Sequence, residues 1–331
     1  MKKTRKLLTL LCALAMLLSL AACGTSGGTA SNSPSAQTYT VGICQLVQHP
    51  ALDAATKGFQ DALNDQLPGQ VTFDYQNASG DSNTCATIIN GFVSEKVDLI
   101  MANATAALQA ASAATTTIPI LGTSITNYGV ALGIQDFNGT PGNNVSGTSD
   151  LPPLDQQAAM VEEIFPAART VGLLYCSAEA NSQYQVDVMQ QELESYGYTC
   201  QLYTFADSND LASVATSAAA SSDVIYLPTD NTVAANADII QNICLPAKVP
   251  IVAGEEGICA KCGVVTLSIS YYDLGYSTGL MAAKVLTGQA DISTMPVEYA
   301  PNFTKEYNVD NCAALGIVPP SDYVAIDTSG S

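Results

Sequence analysis

The chain writes one strand–helix pattern twice, at a nearly constant spacing. In the first copy VGICQL precedes ALDAATKGFQDALND, VTFDYQN precedes CATIINGFVSE, DLIMANA precedes AALQAASAAT, and IPILGTS closes the series. In the second copy TVGLLYC precedes YQVDVMQQELESYGY, TCQLYTF follows, DVIYLPTDNTVAANADIIQ parallels DLIMANATAALQAASAA, and VPIVAGEE parallels IPILGTSIT. Matching starts are 130, 125 and 131 residues apart: 41 to 171, 98 to 223 and 118 to 249. Within the first helical segment Leu52, Ala55, Phe59 and Ala62 recur at three- and four-residue steps, which marks one buried face. Gly197 stands where a helix ends, a position that favours the left-handed conformation. Apolar runs alternating with helical segments specify a parallel sheet wrapped by helices. The expectation is therefore an α/β fold of two similar doubly wound parallel-sheet lobes, each in the flavodoxin-like strand order, with a ligand cleft between them.

The first residues address the chain to a membrane. MKKTRK is basic, LLTLLCALAMLLSLAA is uncharged, and Leu20-Ala21-Ala22 leads into Cys23. A basic segment, a short apolar segment and small residues before a cut describe a secretory signal peptide over 1–22. Cys after those small residues resembles the bacterial lipobox, whose cysteine carries lipid (palmitate among its acyl groups). GTSGGTASNSPSAQT then reads as a flexible tether, giving a lipidated Cys and tether over 23–38. The expected location is the cell membrane, lipid-anchored on the extracytoplasmic face, with the lipid membrane a partner through Cys23.

Charge and missing residue types exclude several functions. Past the leader, seven basic residues face 30 acidic ones, about −23 in net charge, a surface that repels nucleic acid. One His and no GxSxG or HExxH motif leave no nucleophile–base pair, so no enzyme and no cofactor are expected. Cys259-Ala-Lys-Cys262 has redox-like or zinc-like spacing, but a lone CxxC without a second pair or a nearby His also fits a structural pair or a small disulfide loop. No metal site is assigned. The remaining cysteines sit mainly in or beside apolar strands, as small hydrophobes.

In parallel α/β sheets ligands bind beyond the carboxyl ends of the strands. Here those positions are 45–49, 103–105, 123–126, 177–182, 229–231 and 254–256. Across them the chain resembles the substrate-binding lipoproteins of ABC transporters, in the aromatic-amino-acid branch of the type I periplasmic-binding-protein fold. The matching stretches are QLVQHPALDAATKGFQDAL, YQNASGD, DLIMANAT, IPILGTSIT, NVSGTSDLP, EANSQYQV, YLPTDNTV, ISYYDLGYSTGLMAAKVLTG and NCAALGI, spanning nearly the whole chain after the leader. The pair at 259 and 262 departs from that pattern. The resemblance implies an N-lobe of 39–150 plus 271–298 and a C-lobe of 151–270 plus 299–331, with three crossings as a hinge. It also implies an ABC permease as partner, a monomer, and lobe closure on a small-molecule ligand, an aromatic amino acid above others.

Such a ligand brings a carboxylate and an ammonium, each of which must be paired when buried. After the leader the only Arg is Arg169, which precedes its strand and lies at the wrong end of the sheet. The carboxylate then falls to hydroxyls and backbone N–H groups, which Asn181 and Ser182 supply at the start of a helix. Capping of that helix is the competing role for both. Asp230 is either a helix N-cap or the partner of the ammonium, and its place after a C-lobe strand argues for ligand contact, with Asn231 adding a hydrogen bond. Glu255 holds the equivalent place after the next strand, with Glu256 competing. From the N-lobe, Gln45, Thr105 and Ser124 are short polar groups at strand ends. His49 reads as structural, before Pro50. Tyr272 either packs on a ligand ring or packs the hinge. A sugar-binding protein of the same fold is the main alternative, disfavoured by the absence of Trp; an extracellular sensor or adhesion protein is a third.

Overall fold

The structure is a computed structural model that describes residues 37–326. The leader at 1–22, Cys23 and residues 24–36 of the tether lie outside the described residues, as do 327–331. Among the described residues no helix is long and apolar enough to cross a membrane.

Five strands build the first sheet: β1 (Tyr39–Gln45), β2 (Val71–Asn77), β3 (Leu99–Asn103), β4 (Ile120–Ile125) and β5 (Val145–Ser149). Five more build the second: β6 (Thr170–Cys176), β7 (Thr199–Phe205), β8 (Val224–Leu227), β9 (Ile251–Ala253) and β10 (Val265–Ser268). Three short strands complete them, β11 (Glu298–Tyr299) on the first and β12 (Thr304–Tyr307) and β13 (Val324–Ala325) on the second. The first sheet runs β11-β5-β4-β3-β1-β2 and the second β13-β12-β10-β9-β8-β6-β7. The pairings are parallel except that of β10 with β12. Each sheet thus carries the 2-1-3-4-5 order expected from the duplicated pattern.

The duplication extends to single hydrogen bonds. The Asp98 carboxylate accepts from Thr40 N–H at 2.7 Å, and the Asp223 carboxylate accepts from Thr170 N–H at 2.9 Å. In each copy an Asp before the third strand fastens the start of the first. A Cβ added at Gly42 would meet the Phe92 ring at 2.7 Å, and one at Gly172 the Ser222 hydroxyl at 2.4 Å, so both first strands need a bare position where a helix crosses them.

The helices are α1 (Pro50–Gln66), α2 (Ser82–Glu95), α3 (Thr105–Ala114), α4 (Tyr128–Leu132), α5 (Leu154–Ile164), α6 (Ala180–Ser195), α7 (Ser208–Ser221), α8 (Asn231–Ala235), α9 (Ala237–Ala247), α10 (Glu256–Lys261), α11 (Tyr271–Leu286) and α12 (Val309–Leu315). Leu52, Ala55, Phe59 and Ala62 of α1 are buried, as their spacing requires. Gly197 adopts φ +91 just past α6, and Tyr198 N–H returns to Leu193 O, closing the helix.

The helical segment after Asp230 breaks at Asn236, whose side-chain amide donates to Thr232 O and competes with the helical ladder. Helix α5 carries no apolar signal at one buried position, because Gln157 sits there. Its amide donates to Gly254 O and Leu267 O and accepts from the Tyr226 hydroxyl, so a polar side chain fills a core site with its valences satisfied.

The chain returns to the first sheet through α11, which lies against α1. Glycines set that contact. A Cβ at Gly275 would fall 1.9 Å from Ala55 O, one at Gly58 2.1 Å from Tyr272 O, and one at Gly279 2.6 Å from Ala62 Cβ. Backbone therefore meets backbone, and no side chain can be inserted without separating the helices. Gly275→Ala is expected to destabilise the protein by about 1–3 kcal/mol or more. The denaturation midpoint checks this, and an unchanged midpoint would mean that the two helices have room to part.

Candidate functional site

The carboxyl ends of both sheets face one narrow cavity. It is lined by His49, Leu52, Ser124, Thr126, Asp150, Asn181, Thr229, Asp230, Asn231, Ala234, Glu255 and Tyr271, and its free interior is about 10 Å³. A second space of about 240 Å³ adjoins it through Asn231. Its walls include Leu46, Val47 and Ala106 on one side and Cys176, Ala178 and Ala235 on the other.

Local backbone geometry aims several of these groups. Strand β4 shifts register against β5 between Gly122 and Ile125, and Ser124 within that irregularity has φ +55. A left-handed serine in a buried strand is strained, and the irregularity turns the side chain out of the strand's alternation. Its hydroxyl is buried without a partner. Pro50 occupies the first turn of α1, which fixes the helix start and leaves His49 in extended backbone at the sheet edge. Asp150 immediately follows β5; one oxygen accepts from the Tyr271 hydroxyl at 3.0 Å and the other has no partner.

Asp230 caps its helix and also stands on the cavity wall. Its Oδ1 accepts from Val233 N–H at 2.8 Å, capping α8, and its Oδ2 accepts from Cys176 N–H at 2.7 Å, tying the end of β6 to that cap. The same carboxylate lines the cavity. Glu255 repeats the arrangement one strand further on, accepting from Gly257 N–H at 2.7 Å and Ile258 N–H at 2.5 Å at the start of α10 while it lines the cavity. Asn231 is gripped by Glu179, whose Oε2 accepts from its backbone N–H at 3.0 Å and its amide Nδ2 at 2.7 Å. Asn181 donates to Thr229 O at 3.0 Å, and Ser182 stands behind Asp230, with its hydroxyl directed to that carboxylate.

Three expected contacts lie elsewhere. Gln45 is buried but occupied: its amide donates to Asp53 at 2.7 Å and to Val47 O at 2.9 Å, and accepts from Thr56 at 2.7 Å, so it braces the start of α1. Thr105 is buried at the start of α3 and is not among the lining residues. Tyr272 is 37% exposed on α11, its hydroxyl donating to Asp61 at 3.0 Å and its ring 5.5 Å from the Lys57 ammonium. Its neighbour Tyr271 takes the cavity position instead. One residue along a helix is a turn of about 100°, enough to exchange the inner face for the outer.

Sequence reasoning passed over Asp150, Tyr271 and His49. Asp150 follows β5 directly, a strand end absent from the positions drawn from the sequence, where 150 is only the bound of the N-lobe. His49 lay within the strand-end range but was read as structural. Cys259 and Cys262 are free buried thiols, pushed well above the usual thiol range by burial. Among the described residues no group of His, Cys, Asp and Glu is arranged to hold a metal ion.

The lining carries three buried carboxylates and neither Lys nor Arg. Burial raises Asp150 to about 6 and Glu255 to about 7. It also pushes Asp230 well up, helped by the charge of Glu179 and opposed by the hydrogen bonds from Cys176, Val233 and Ser182. Four buried polar atoms on this wall have no partner: His49 Nδ1, Ser124 Oγ, Asp150 Oδ1 and Thr229 Oγ1. The site offers acceptor oxygens on carboxyls whose charged form burial disfavours and a cationic group would favour, with two free hydroxyls beside them.

A carboxyl raised on folding contributes stability that is complete below its unfolded value and lost as pH rises through its folded value. For Asp150 and Glu255 that loss spans pH about 4 to about 7. Asp150→Asn is expected to remove part of it, so that the Tm of the variant gains on the parent as pH rises from 5 to 8. Parallel Tm–pH curves for the two proteins would contradict the assignment.

A family model described as ABC transporter substrate binding protein matches residues 40–325. The tyrosine-binding protein of Clostridioides difficile (strain R20291) is 34% identical over 324 residues, covering 95% of this chain and 93% of that protein. The crystal structure of an ABC domain in complex with L-Trp from Streptococcus pneumonia superposes with a TM-score of 0.82 at 31% identity, covering 86% of this chain and 97% of that one. The ligand-free, open structure of a Clostridium difficile substrate binding protein with adhesive properties gives a TM-score of 0.67 at 37% identity, covering 87% and 99%. Of these two structures, the one of lower sequence identity has the higher TM-score.

Proposed function

We propose the following role for a chain that belongs to the family of ABC transporter substrate-binding proteins: it captures a zwitterionic amino acid, an aromatic one above others, for import. It is a binding protein and not an enzyme. The observation that carries the ligand class is the convergence of four partnerless buried polar atoms and three carboxylates on one interlobe cavity. Asp230 and Asp150 receive the ammonium. The Ser124 and Thr229 hydroxyls receive the carboxylate, with Asn181, Ser182 and the first turn of α6 behind them. Asn231 and Glu255 frame the ligand.

The names of two relatives, a tyrosine-binding protein and a domain bound to L-Trp, support an aromatic side chain. A free interior of about 10 Å³ holds no amino acid, so the lobes must part to admit one and the lining must spread around it. The lobes that move are 39–150 with 271–298 and 151–270 with 299–331, turning about three crossings. Cys23 anchors the protein to the extracytoplasmic membrane face, where as a monomer it delivers the ligand to an ABC permease in the closed form.

The test is a melting series on the chain without its first 36 residues, against aromatic amino acids, other amino acids and sugars. A ligand at a hundred times its Kd adds about 2.7 kcal/mol to stability. Because the chain has no Trp, binding of L-tryptophan is also read from the ligand's own fluorescence. Asp230→Asn, which can keep the Val233 cap on its amide oxygen but gives up the bond from Cys176 N–H along with the charge, is expected to weaken amino-acid binding by about 2–5 kcal/mol, with its Tm showing that it folds. A melting shift with a sugar and none with any amino acid would reverse the ligand class. An unchanged Kd in Asp230→Asn would remove that residue from the ammonium site.

A further inference from the structure

The segment after β1 and the segment after β8 meet through one contact, His49 Nε2 to Asn231 Oδ1 at 3.2 Å. Among the described residues it is the one side-chain hydrogen bond that crosses between the two sheets' halves away from the connecting segments. The chemistry of the contact is set from one side. Glu179 Oε2 lies 2.7 Å from Asn231 Nδ2, and a carboxylate only accepts, so the amide must turn its nitrogen to Glu179 and its oxygen to His49. Glu179 itself is held by the backbone N–H and hydroxyl of Thr232, both at 2.8 Å, and by Asn181 Nδ2 at 3.1 Å. An oxygen facing His49 requires a proton on Nε2.

Burial lowers the basicity of the imidazole, against the Asn231 hydrogen bond and the charges of Glu179 and Asp53. A neutral ring has one proton to place, and with it on Nε2 the other nitrogen, Nδ1, is an acceptor. Nδ1 is buried and has no partner, on a ring that lines the cavity beside Asp150 and Asp230.

We propose that His49 is both the latch that joins the lobes across the cleft and an acceptor for the ligand's ammonium, its tautomer fixed from the opposite lobe by Glu179 acting through Asn231. The latch couples ligand and closure: once Asn231 Oδ1 accepts from Nε2–H, the proton is held on that nitrogen and Nδ1 stays an acceptor turned to the ligand. It also gives the site a criterion for its ligand, since a deaminated analogue with the same ring and carboxylate brings no donor to Nδ1. The ammonium half of this assignment rests on the zwitterionic-ligand reading above; the latch half does not.

His49 is the single histidine of the chain, so protein labelled with ¹⁵N in histidine gives ring-nitrogen signals from this residue alone. With saturating L-tryptophan, the expected spectrum shows a protonated Nε2 and an unprotonated Nδ1 whose signal moves toward that of a hydrogen-bonded nitrogen. Glu179→Gln, which no longer dictates the amide orientation, is expected to return a mixture of tautomers. It should also weaken L-tryptophan about 10- to 100-fold. His49→Gln keeps a donor near the Nε2 position and loses the Nδ1 acceptor. It should narrow the preference for L-tryptophan over indole-3-propionate, while its melting temperature shows that it folds.

A proton on Nδ1 in the complex, or an Nδ1 signal unmoved by bound L-tryptophan, overturns the ammonium contact. The same tautomer in the parent protein and in Glu179→Gln overturns the latch. If no aromatic amino acid binds the parent protein, the ligand reading falls and takes the ammonium contact with it. The comparison of tautomers between parent and Glu179→Gln then still decides the latch.

Discussion

Backbone contact between α1 and α11 is the constraint on which the site depends. Gly58, Gly275 and Gly279 allow two helices distant in the chain to touch main chain to main chain. The consequence appears at their N-terminal ends. Pro50 begins one helix and Tyr271 the other, so His49, Leu52 and Tyr271 arrive together as the N-lobe wall of the cavity. A wider crossing would separate the imidazole from the phenol and open the cavity floor. Helix α11 also follows β10 of the second sheet directly, so the same contact fixes where the chain passes from one half to the other.

On the facing side, helix starts perform a double task. Asp230 and Glu255 each cap a short helix and line the cavity, and each is held by two backbone N–H groups, both from its own turn for Glu255 and one from its turn and one from Cys176 for Asp230. Capping and ligand contact are compatible because a carboxylate has more lone pairs than one cap requires. Capping holds the group rigid, and burial without a cation holds it at a high energy that a ligand's ammonium can relieve. Buried carboxyl groups held in place by backbone N–H bonds are the physical basis of the proposed preference for a cationic group.

Glycines and caps act at short range, whereas closure acts at long range. The two halves are joined in the cleft by a hydrogen bond whose donor depends on a proton position, which depends in turn on an amide held by Glu179. Binding and closure share atoms in such an arrangement. On the proposed reading, that sharing would give a physical content to population shift, since the ligand would contact groups whose bonding changes as the lobes close.

The sequence by itself determined the two-copy architecture, the strand order, and the edge of each sheet at which polar residues gather. Those follow from periodicity and from strand-first chain order, which are local properties. It also led to Asp230, Asn231, Ser124, Asn181 and Glu255 as residues at that edge, all of which the tertiary structure places on the cavity wall. Only the tertiary structure decided among neighbours. Gln45 is consumed by Asp53 and Thr56, Tyr271 replaces Tyr272 by a rotation of one residue, and His49 gains its meaning from a partner 182 positions away. Pattern reports which face of an element is buried; it does not report which atoms from another element will stand opposite. The direction of a side chain at a strand end depends on a bulge or a helix start, and its chemistry depends on what the other lobe brings to it.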